Sequence, residues 1–589
     1  MISFPSLFIS GLLSSQLTWG APFSSNTLET IVARQEESCN TASNRACWTD
    51  GFDIHTDYEI KTPLTGVVRD YTLTLTESDN WTGPDGVIKK KVMLVNGPTI
   101  YAQWGDTISV RVINNLETNG TSMHWHGIRQ LNTNLQDGVN GITECPIPPG
   151  GERVYTYIAH QYGTSWYHSH FSAQYGNGIS GPIQIDGPAS LNYDIDLGPF
   201  VLSDYYHRAA DELVFDDAYN GPPTSQNVLF NGKTVNPDTG VGEYAKIKLT
   251  RGKRHRLRLI NTSVQHNLVV SIVKHDMTVI GTDFVPVNSF TTNSLFIGVG
   301  QRYDVTIDAS QAVDNYWFNV SLGTSQGSGF CGTSENLFPA AIVQYDGAAD
   351  DIPTKEGTAP SDHNCLDSLD LVPVVSRTVP TSFTPSSGNT LDLTLSIISK
   401  AFVWNINGSP MKVDWNKPLA QYVNKNETDY ASSENILKVD GDDDQWVYWL
   451  IENDLDGIYG SIPHPIHLHG HDFVVIGRSP DSAPASQTKY EFDASLVRGS
   501  NRVRRDVTMI PAKGWLLLAF KTDNPGAWLM HCHIAWHVAG GLSNTFLERL
   551  DDYRASLKQA DVDTLNEQCT AWNAYFPAKD PYPQTDSGI

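Results

Sequence analysis

Long apolar runs and positive charges are both scarce in this sequence. No stretch of about 18 consecutive apolar residues occurs, so no helix is expected to span a membrane. The chain has 40 Lys and Arg against 65 Asp and Glu, and the resulting net charge of −25 argues against binding nucleic acid or an anionic membrane surface. Cysteine is also rare. Its count of 7 is odd, so in an oxidising compartment at least one cysteine must be free, bound to a ligand or paired with another chain.

Aromatic residues, in contrast, are abundant. The 589 residues include 15 Trp, 24 Tyr and 21 Phe, which is enough to bury a large core and excludes a disordered protein. At roughly 150 residues per domain, the length predicts three or four domains, or fewer large ones.

The N-terminus has the features of a secretory signal. A short apolar core at residues 7–13 precedes the small residues Gly20 and Ala21, as expected for a signal-peptidase site. We expect a signal peptide at 1–20 and a pro-segment at 21–34 that is removed after Arg34; an ordinary buried helix is the alternative. The sequons fit a secreted, extracellular glycoprotein, and they begin at Asn80, Asn119, Asn261, Asn319, Asn407 and Asn426.

Alternation of apolar and polar residues is common along the chain, and helical periodicity is scarce. Residues 71–76, 107–112 and 246–250 alternate in this way and predict half-buried strands. Asn-Gly turns follow apolar runs at residues 96, 231 and 407, and each is followed further on by a strand that ends in Asn. These patterns predict an all-β protein of sandwiches or barrels with three units, at 35–190, 191–372 and 373–589.

Four His-x-His pairs are the main chemical feature of the sequence. In a strand the side chains at i and i+2 point to the same side, so each pair presents two imidazoles together. A single pair would more often be two surface or hydrogen-bonded histidines, but four pairs in two units that echo each other indicate metal binding. The pairs are His124 and His126, His168 and His170, His467 and His469, and His531 and His533.

Two further histidines and a cysteine bear on which metal is bound. Eight imidazoles alone could fill two closed tetrahedral zinc sites. His464, Cys532 and His537, however, form the His2Cys set of blue-copper sites, which leaves the paired histidines for three more ions. Reduction of dioxygen to two waters takes four electrons, which organic donors give up singly, so four one-electron copper ions can couple the two reactions. Because Cys532 lies between His531 and His533, the backbone would supply a short covalent route between the sites.

The sequence around these residues resembles a known family. Residues 124–127 (HWHG), 168–170 (HSH), 464–471 (HPIHLHGH) and 531–537 (HCHIAWH) match the four copper motifs of the multicopper oxidases, and the chain looks most like the laccases of ascomycete fungi. The resemblance covers essentially the whole chain after the pro-segment. It implies three consecutive cupredoxin-like Greek-key β-barrel domains, with a mononuclear type 1 copper in the third and a trinuclear cluster between the first and third. The implied activity is oxidation of phenols and aromatic amines, one electron at a time, coupled to reduction of dioxygen to two waters.

The resemblance also implies which residues hold each copper ion. The type 1 copper takes His464, Cys532 and His537, with Leu542 at the axial position where some relatives carry Met. Because an apolar side chain cannot donate to copper, we expect a higher redox potential than Met would give. The implied trinuclear ligands are His124 and His467 for the type 2 ion, His126, His168 and His533 for one type 3 ion, and His170, His469 and His531 for the other.

Several other residues acquire roles through the same resemblance. Asp137 resembles a carboxylate near the cluster that helps to supply protons, and a turn-forming Asp-Gly is the alternative. Asp586 belongs to a tail that resembles the C-terminal plug of ascomycete laccases, and a frayed polar tail is the alternative. Gln265 stands where related enzymes often have a carboxylate in the phenol pocket. Ala539 stands where some relatives have a Ser. That Ser helps to deliver protons together with the tail Asp and the residue corresponding to Ser172, so this proton relay is in doubt here.

The remaining six cysteines allow several pairings by counting alone. Their spacing is compatible with local bridges for two pairs, and the resemblance supports those two together with a long-range bridge. The expected disulfides are Cys39–Cys47, Cys331–Cys365 and Cys145–Cys569.

The substrate side of the type 1 site is less well defined by the sequence. His464 and His537 would form its exposed edge, and either imidazole could receive the electron. The acidic segment 452–456 could line the pocket or form a solvated loop. We expect dioxygen and small phenolic or aromatic amine donors as partners, with the chain a monomer or weak dimer. The alternatives are a secreted ferroxidase or other metal oxidase of the same superfamily, and a non-catalytic copper-binding glycoprotein.

Overall fold

The computed structural model describes residues 39–96, 98–322, 331–354, 360, 363–454, 462–480, 489–578 and 584–589. The signal peptide at 1–20 and the pro-segment at 21–34 lie outside these residues and stay predictions. Within the described ranges, no helix is both long and apolar enough to cross a membrane.

The first part of the described chain forms two four-stranded sheets and a short hairpin. Its strands are β1 (Cys47–Thr49), β2 (Phe52–Asp53), β3 (Val68–Thr82), β4 (Ile88–Asn96), β5 (Ile100–Gln103), β6 (Thr107–Asn114), β7 (His124–Trp125), β8 (Glu152–Ile158), β9 (Gly163–His168) and β10 (Ser180–Asp186). The sheets have the orders β4-β3-β6-β8 and β5-β10-β9-β7, and β1 pairs with β2. In β6, Ile108, Val110 and Val112 are buried while the alternate residues are more exposed, as the sequence predicts for a half-buried strand.

The middle of the chain forms a six-stranded and a five-stranded sheet. Its strands are β11 (Ile195–Tyr205), β12 (Asn227–Phe230), β13 (Lys246–Leu249), β14 (Arg254–Asn261), β15 (Leu268–Ile272), β16 (Met277–Thr282), β17 (Val285–Thr292), β18 (Leu295–Ile297), β19 (Arg302–Asp308), β20 (Asn315–Leu322) and β21 (Ala340–Tyr345). The sheet orders are β12-β11-β14-β19-β16-β17 and β13-β21-β20-β15-β18.

The last part repeats this pair of sheets. Its strands are β22 (Thr390–Ile398), β23 (Ala401–Ile406), β24 (Ile436–Val439), β25 (Trp446–Asn453), β26 (His464–Leu468), β27 (Phe473–Arg478), β28 (Arg504–Arg505), β29 (Val507–Ile510), β30 (Trp515–Lys521), β31 (Gly526–Cys532) and β32 (Ser543–Glu548). The sheet orders, β23-β22-β25-β30-β27-β28 and β24-β32-β31-β26-β29, match those of the middle part strand for strand.

Helices are few and lie between or after the sheets. They are α1 (Ala210–Asn220), α2 (Leu419–Lys425), α3 (Ala535–Ala539), α4 (Leu550–Ser556) and α5 (Gln559–Tyr575). Short 3-10 turns occur at Asn134–Gln136, Gln174–Asn177, Ser432–Glu434 and Ala494–Leu496.

The predicted all-β class is confirmed, with three cupredoxin-like domains. Two of the three Asn-Gly turns, Asn231-Gly232 and Asn407-Gly408, have positive φ at both residues. This conformation matches the right-handed twist of the flanking strands. Gly97 of the remaining turn lies outside the described residues. The domain boundaries near 190 and 372 stay a prediction.

Candidate metal centre

A buried triangle of one sulfur and two nitrogens lies at the junction of two strands and a helix. His464 begins β26, Cys532 ends the neighbouring β31, and His537 lies in α3. The two Nδ1 atoms are 3.1 Å apart, and Cys532 Sγ is 3.5 Å from each of them. Three donor atoms this close can all contact one ion.

Burial has opposite effects on the two imidazoles and on the thiol as metal ligands. Burial raises the pKa of the Cys532 thiol, and it lowers the pKa of His464 to about 3. Burial and the neighbouring His464 also hold the pKa of His537 well below its usual range. The imidazoles are therefore neutral with a lone pair available, whereas the thiol becomes a thiolate only when a cation binds it.

The paired histidines meet in one cluster because of strand register. His124 on β7 lies opposite His168 on β9, and His467 on β26 lies opposite His531 on β31. Rings from the two strand pairs then stack across the boundary between the first and last sheets. His469 stacks on His124 with ring centroids 3.9 Å apart. The same stacking, again at 3.9 Å, joins His126 and His467.

Hydrogen bonds fix which nitrogen of most of these rings can bind a metal. The Nδ1–H groups donate to backbone oxygens in four rings: His124 to Asp137 (2.9 Å), His168 to Ser169 (2.9 Å), His467 to Asp506 (2.8 Å) and His531 to Cys532 (2.9 Å). Two rings donate to carboxylates instead: His469 Nδ1 to Asp137 Oδ2 (2.9 Å) and His126 Nε2 to Asp506 Oδ1 (3.2 Å). Each of these rings thus keeps its other nitrogen for the cluster.

The remaining nitrogens have the character of metal ligands. Nε2 of His124, His168 and His467 is buried with no hydrogen-bond partner among the described residues, and so are both nitrogens of His170. His533 Nε2 lies 3.3 Å from His126 Nδ1, and His469 Nε2 lies 3.4 Å from His531 Nε2. Such buried nitrogens are costly unless a cation binds them, so the residues present fit copper ions.

The comparisons with known proteins agree with this chemistry. Family models described as multicopper oxidase match residues 76–190, 196–348 and 398–552. A laccase of Cryphonectria parasitica is 63% identical over 600 residues, covering 100% of both chains. A laccase of Neurospora crassa is 57% identical and covers 99% of this chain and 96% of its own. Among solved structures, the laccase from Botrytis aclada superposes with a TM-score of 0.84 at 37% identity, covering 94% of this chain and 100% of that one.

The chain belongs to the multicopper oxidase family. Its likeness to curated laccases makes it an oxidoreductase of the laccase class that uses copper. Fet3p, described as a multicopper oxidase that functions in iron import, shares the fold with a TM-score of 0.73 at 24% identity.

Two buried carboxylates accept hydrogen bonds from rings of the histidine cluster. Asp137 is fully buried; its Oδ2 accepts from His469, and its Oδ1 lies 3.2 Å from His124 Nδ1. Asp506 accepts from His126 and forms a two-point ion pair with Arg302, with N···O distances of 2.6 and 2.7 Å. Neither Asp506 nor Arg302 is among the residues predicted from the sequence. The sequence offers no clear signal for Asp506, because the residues before it, 498–505, are mostly polar or basic and form no pattern that the charge interrupts.

The C-terminal tail of the oxidase is packed against the cluster. Asp586 is bonded by the Ser172 hydroxyl and by Gly588 N, and burial raises the pKa of its carboxyl. Ser587 N donates to Ala539 O at 2.8 Å. Ile589 is 1% exposed and, together with His168, His170, His531 and His533, lines a small cavity. The tail is therefore ordered and is not the frayed alternative.

The surroundings of the His464, Cys532 and His537 set differ from expectation in one respect. His464 is fully buried, and its Nε2 has no partner among the described residues, so the expectation that it forms an exposed edge is wrong. His537 is 5% exposed, and the centroids of its ring and of the Trp404 ring lie 4.0 Å apart. Leu542 is fully buried in the same apolar cluster as Cys532, and its backbone oxygen accepts from Cys532 N at 3.1 Å.

Gln265 and the acidic segment occupy different environments. Gln265 is only 7% exposed and is bonded to Trp536 and Tyr206. In the acidic segment, Asp454 pairs with Lys489 at 3.3 Å, while residues 455–456 lie outside the described residues.

One predicted glycan position is contradicted by packing. Asn261 is fully buried, and its Nδ2 donates to the backbone oxygens of His266 (2.8 Å) and Ile297 (2.9 Å). A glycan at this nitrogen would break both bonds and would have no space, so the sequon is wrong as a glycosylation site. Asn80, Asn119, Asn319, Asn407 and Asn426 stay predictions.

The cysteines are paired as the sequence and the resemblance suggest. The disulfides are Cys39–Cys47, Cys145–Cys569 and Cys331–Cys365, and buried Cys532 is the free cysteine. The bridge at Cys569 attaches α5 to the first domain, across 424 residues of sequence.

Proposed function

We propose that this oxidase holds four copper ions and oxidises phenols and aromatic amines one electron at a time, reducing dioxygen to two waters. The type 1 ion would be held by His464, Cys532 and His537, and Leu542, buried in the same cluster as Cys532, would offer it no donor atom. In the cluster, the proposed ligands of the type 2 ion are His124 and His467. One type 3 ion would be held by His126, His168 and His533, and the other by His170, His469 and His531. Copper supplies one-electron steps between Cu(I) and Cu(II), four of which match the demand of dioxygen.

The observation that carries this proposal is the alternation at residues 531–533. Cys532 Sγ faces the two Nδ1 atoms of the type 1 set, whereas His531 and His533 face the cluster on the other side of the strand. Two peptide units thus join an electron acceptor to an oxygen-reducing site. A chain that only sequestered copper would have no use for such a connection.

The protein groups around the cluster would hold protons and exclude bulk water. Burial and neighbouring imidazoles keep the pKa of His126, His467 and His469 well below the usual range, so these rings do not carry the protons that dioxygen requires. Asp137 touches rings assigned to two different ions and is positioned to pass a proton inward. Asp586, hydrogen-bonded by Ser172, would serve the tail side in the same way.

The reducing substrate would meet the enzyme at His537. Its Nδ1 faces Cys532 and the residue keeps 5% exposure, whereas His464 is fully buried. A ferroxidase needs carboxylates at this edge to bind Fe(II). Among the described residues of the acidic segment, Asp454 is instead paired with Lys489, which favours organic donors.

The signal peptide, pro-segment and remaining sequons support the further proposal that the enzyme is an extracellular glycoprotein. Mass spectrometry of the secreted protein would give its mature N-terminus and occupied sequons.

Oxygen uptake with a panel of phenols tests the proposal. We expect four molecules of a methoxyphenol to be consumed for each dioxygen, without hydrogen peroxide, and little turnover of Fe(II). Preferred turnover of Fe(II) would support the metal-oxidase alternative, and no uptake with any donor would support the non-catalytic one.

A further inference from the structure

The segment that connects the second and third domains carries a buried carboxylate with many hydrogen-bond donors. Asp367 lies between the residues matched by two of the family models, 196–348 and 398–552, and it is 2% exposed. Its two carboxylate oxygens accept from Arg478 Nη1 (2.7 Å), Arg505 Nη1 (2.8 Å), Thr508 Oγ1 (2.8 Å), Met509 N (3.2 Å) and Gln301 Nε2 (3.2 Å). Burial alone would raise the pKa of this carboxyl, but the two guanidinium groups hold the pKa below its usual range, so Asp367 is an anion at neutral pH.

These contacts hold the outer edge of strand β29. It is an edge strand of its five-stranded sheet, so within the described residues only one side of its backbone pairs with another strand of that sheet. On the other side, Asp367 accepts from Met509 N, and Gln301 Nε2 donates to Val507 O at 3.0 Å. Two side chains from outside the sheet therefore take the place of a neighbouring strand.

The inner side of β29 pairs with β26, the strand that carries two of the proposed copper ligands. Across this pair, His464 lies opposite Ile510 and His467 lies opposite Val507. The two residues of β29 that donate to Asp367 lie between these positions. The carboxylate thus fixes β29 between the points where it meets a ligand of the type 1 set and a ligand of the cluster.

The residue that precedes β29 extends this connection to a ligand from the first domain. Asp506 O accepts from His467 Nδ1 at 2.8 Å, and Asp506 Oδ1 accepts from His126 Nε2 at 3.2 Å. Arg505, the next residue toward the N-terminus, donates to Asp367. The backbone on both sides of Asp506 is therefore tied to the same carboxylate.

We propose that Asp367 is a positioning residue that holds β29, and through it the ligand strand β26, in the place that both copper sites require. The inference rests on the proposed function, since it takes His464 as a ligand of the type 1 ion and His467 as a ligand of the cluster. The five donors to Asp367 include neither histidine, so its effect passes through the backbone of β29. A change at this one carboxylate should therefore alter both sites together.

Replacement of the carboxylate by its neutral isostere is the main test. In Asp367→Asn the amide nitrogen donates instead of accepting, so the donors that face it lose their acceptor. Arg505 keeps the Asp283 carboxylate at 3.3 Å as a counter-charge, so the variant is expected to fold. In the copper-loaded enzyme we expect shifts in both the thiolate-to-copper band and the electron paramagnetic resonance spectrum of the type 2 ion. Competition with a chelator should show about tenfold weaker copper binding, the lower end of the effect of residues that orient metal ligands.

Two further variants separate positioning from stability. Asp196→Asn is the matched control, since that carboxylate accepts from Arg258 Nη2 (2.7 Å) and Gly198 N (2.9 Å) but lies on β11, which carries no proposed ligand. It should weaken resistance to urea while both spectra stay unchanged. Thr508→Val removes one hydrogen bond to Asp367 without a change of charge. It should shift both spectra in the same direction as Asp367→Asn but by less, and it decides the test if Asp367→Asn does not fold.

The outcomes separate this inference from the proposed function. If the spectra of Asp367→Asn and Thr508→Val match those of the parent and of Asp196→Asn, Asp367 only stabilises the fold and the inference is overturned. A shift at one copper site alone would also contradict it, because β29 lies opposite ligands of both sites. A parent enzyme that shows no thiolate-to-copper band, or consumes no oxygen with any phenol, would overturn the proposed function instead.

Discussion

Removing the carboxylate of Asp506 alone should destabilise the enzyme more than removing both partners of its ion pair. Arg302 and Asp506 are both fully buried, and two N···O contacts of 2.6 and 2.7 Å join them. Arg302 also donates to Thr164 O and Gly300 O. In Asp506→Ala the guanidinium would keep those backbone bonds and lose its two closest charge contacts, leaving the buried Asp283 carboxylate at 3.4 Å as its remaining counter-charge.

The magnitude follows from burial. Removal of one partner of a buried ion pair costs about 3–5 kcal/mol, because the other charge is left desolvated. We expect that cost for Asp506→Ala and for Arg302→Met, and a smaller cost than either for the double variant, because no charge of this pair is then left unpaired. Arg254 and Asp308 form a similar two-point pair whose side chains are 35% and 63% exposed, so Asp308→Ala should cost less than about 1 kcal/mol.

Unfolding rates in urea, followed by tryptophan fluorescence of the copper-loaded enzyme, measure these differences. A loss of about 3 kcal/mol raises the unfolding rate roughly 150-fold if the pair breaks before the transition state. Copper affinity is a second readout, since His126 loses its acceptor and about 10- to 100-fold weaker binding is expected for Asp506→Ala. Additive effects in the double variant, or single effects as small as that of Asp308→Ala, would refute the reasoning.

Three other substitutions have defined outcomes. Gln265→Glu should make phenol oxidation rise with pH as the new carboxylate ionises and accepts the phenol proton, while the pH profile with hexacyanoferrate(II) keeps its shape; an unaltered phenol profile would count against this. Leu542→Met should lower the type 1 potential in a redox titration of the blue band, and an equal or higher potential would contradict the axial assignment. Burial raises the pKa of Glu144 from 4.5 to about 7 even with Arg153 at 3.3 Å. A raised pKa adds stability that is complete below 4.5 and is lost as pH rises through 7, so unfolding in urea should be faster at about pH 8 than at about pH 5. Glu144→Gln should reduce that difference, and a difference that survives the substitution would exclude Glu144 as its source.

The parts of the site that the sequence predicted are those that depend on local spacing. A His-x-His pair in a strand places both rings on one face, and Cys532 between His531 and His533 must then face the opposite way. The strand register of the structure brings these rings together as that geometry requires. The alternating strands and the Asn-Gly turns were predictable for the same reason.

The parts that the sequence did not reveal depend on tertiary packing. Arg302 and Asp506 are 204 positions apart in sequence, and no local pattern relates them. From the sequence, His464 and His537 are equally expected to be exposed. Only the fold shows that His464 is fully buried. Asn261 begins a valid sequon, but its side-chain nitrogen donates hydrogen bonds to the backbone oxygens of His266 and Ile297.

Copper content and the visible spectrum of Cys532→Ser test the central claim most directly. The parent enzyme should contain four copper ions per chain and show an intense thiolate-to-copper band. The variant should lose that band and phenol turnover while it keeps the three ions held by the paired histidines. A blue band that persists without Cys532, or loss of all copper from the variant, would contradict the division into one thiolate site and one histidine cluster.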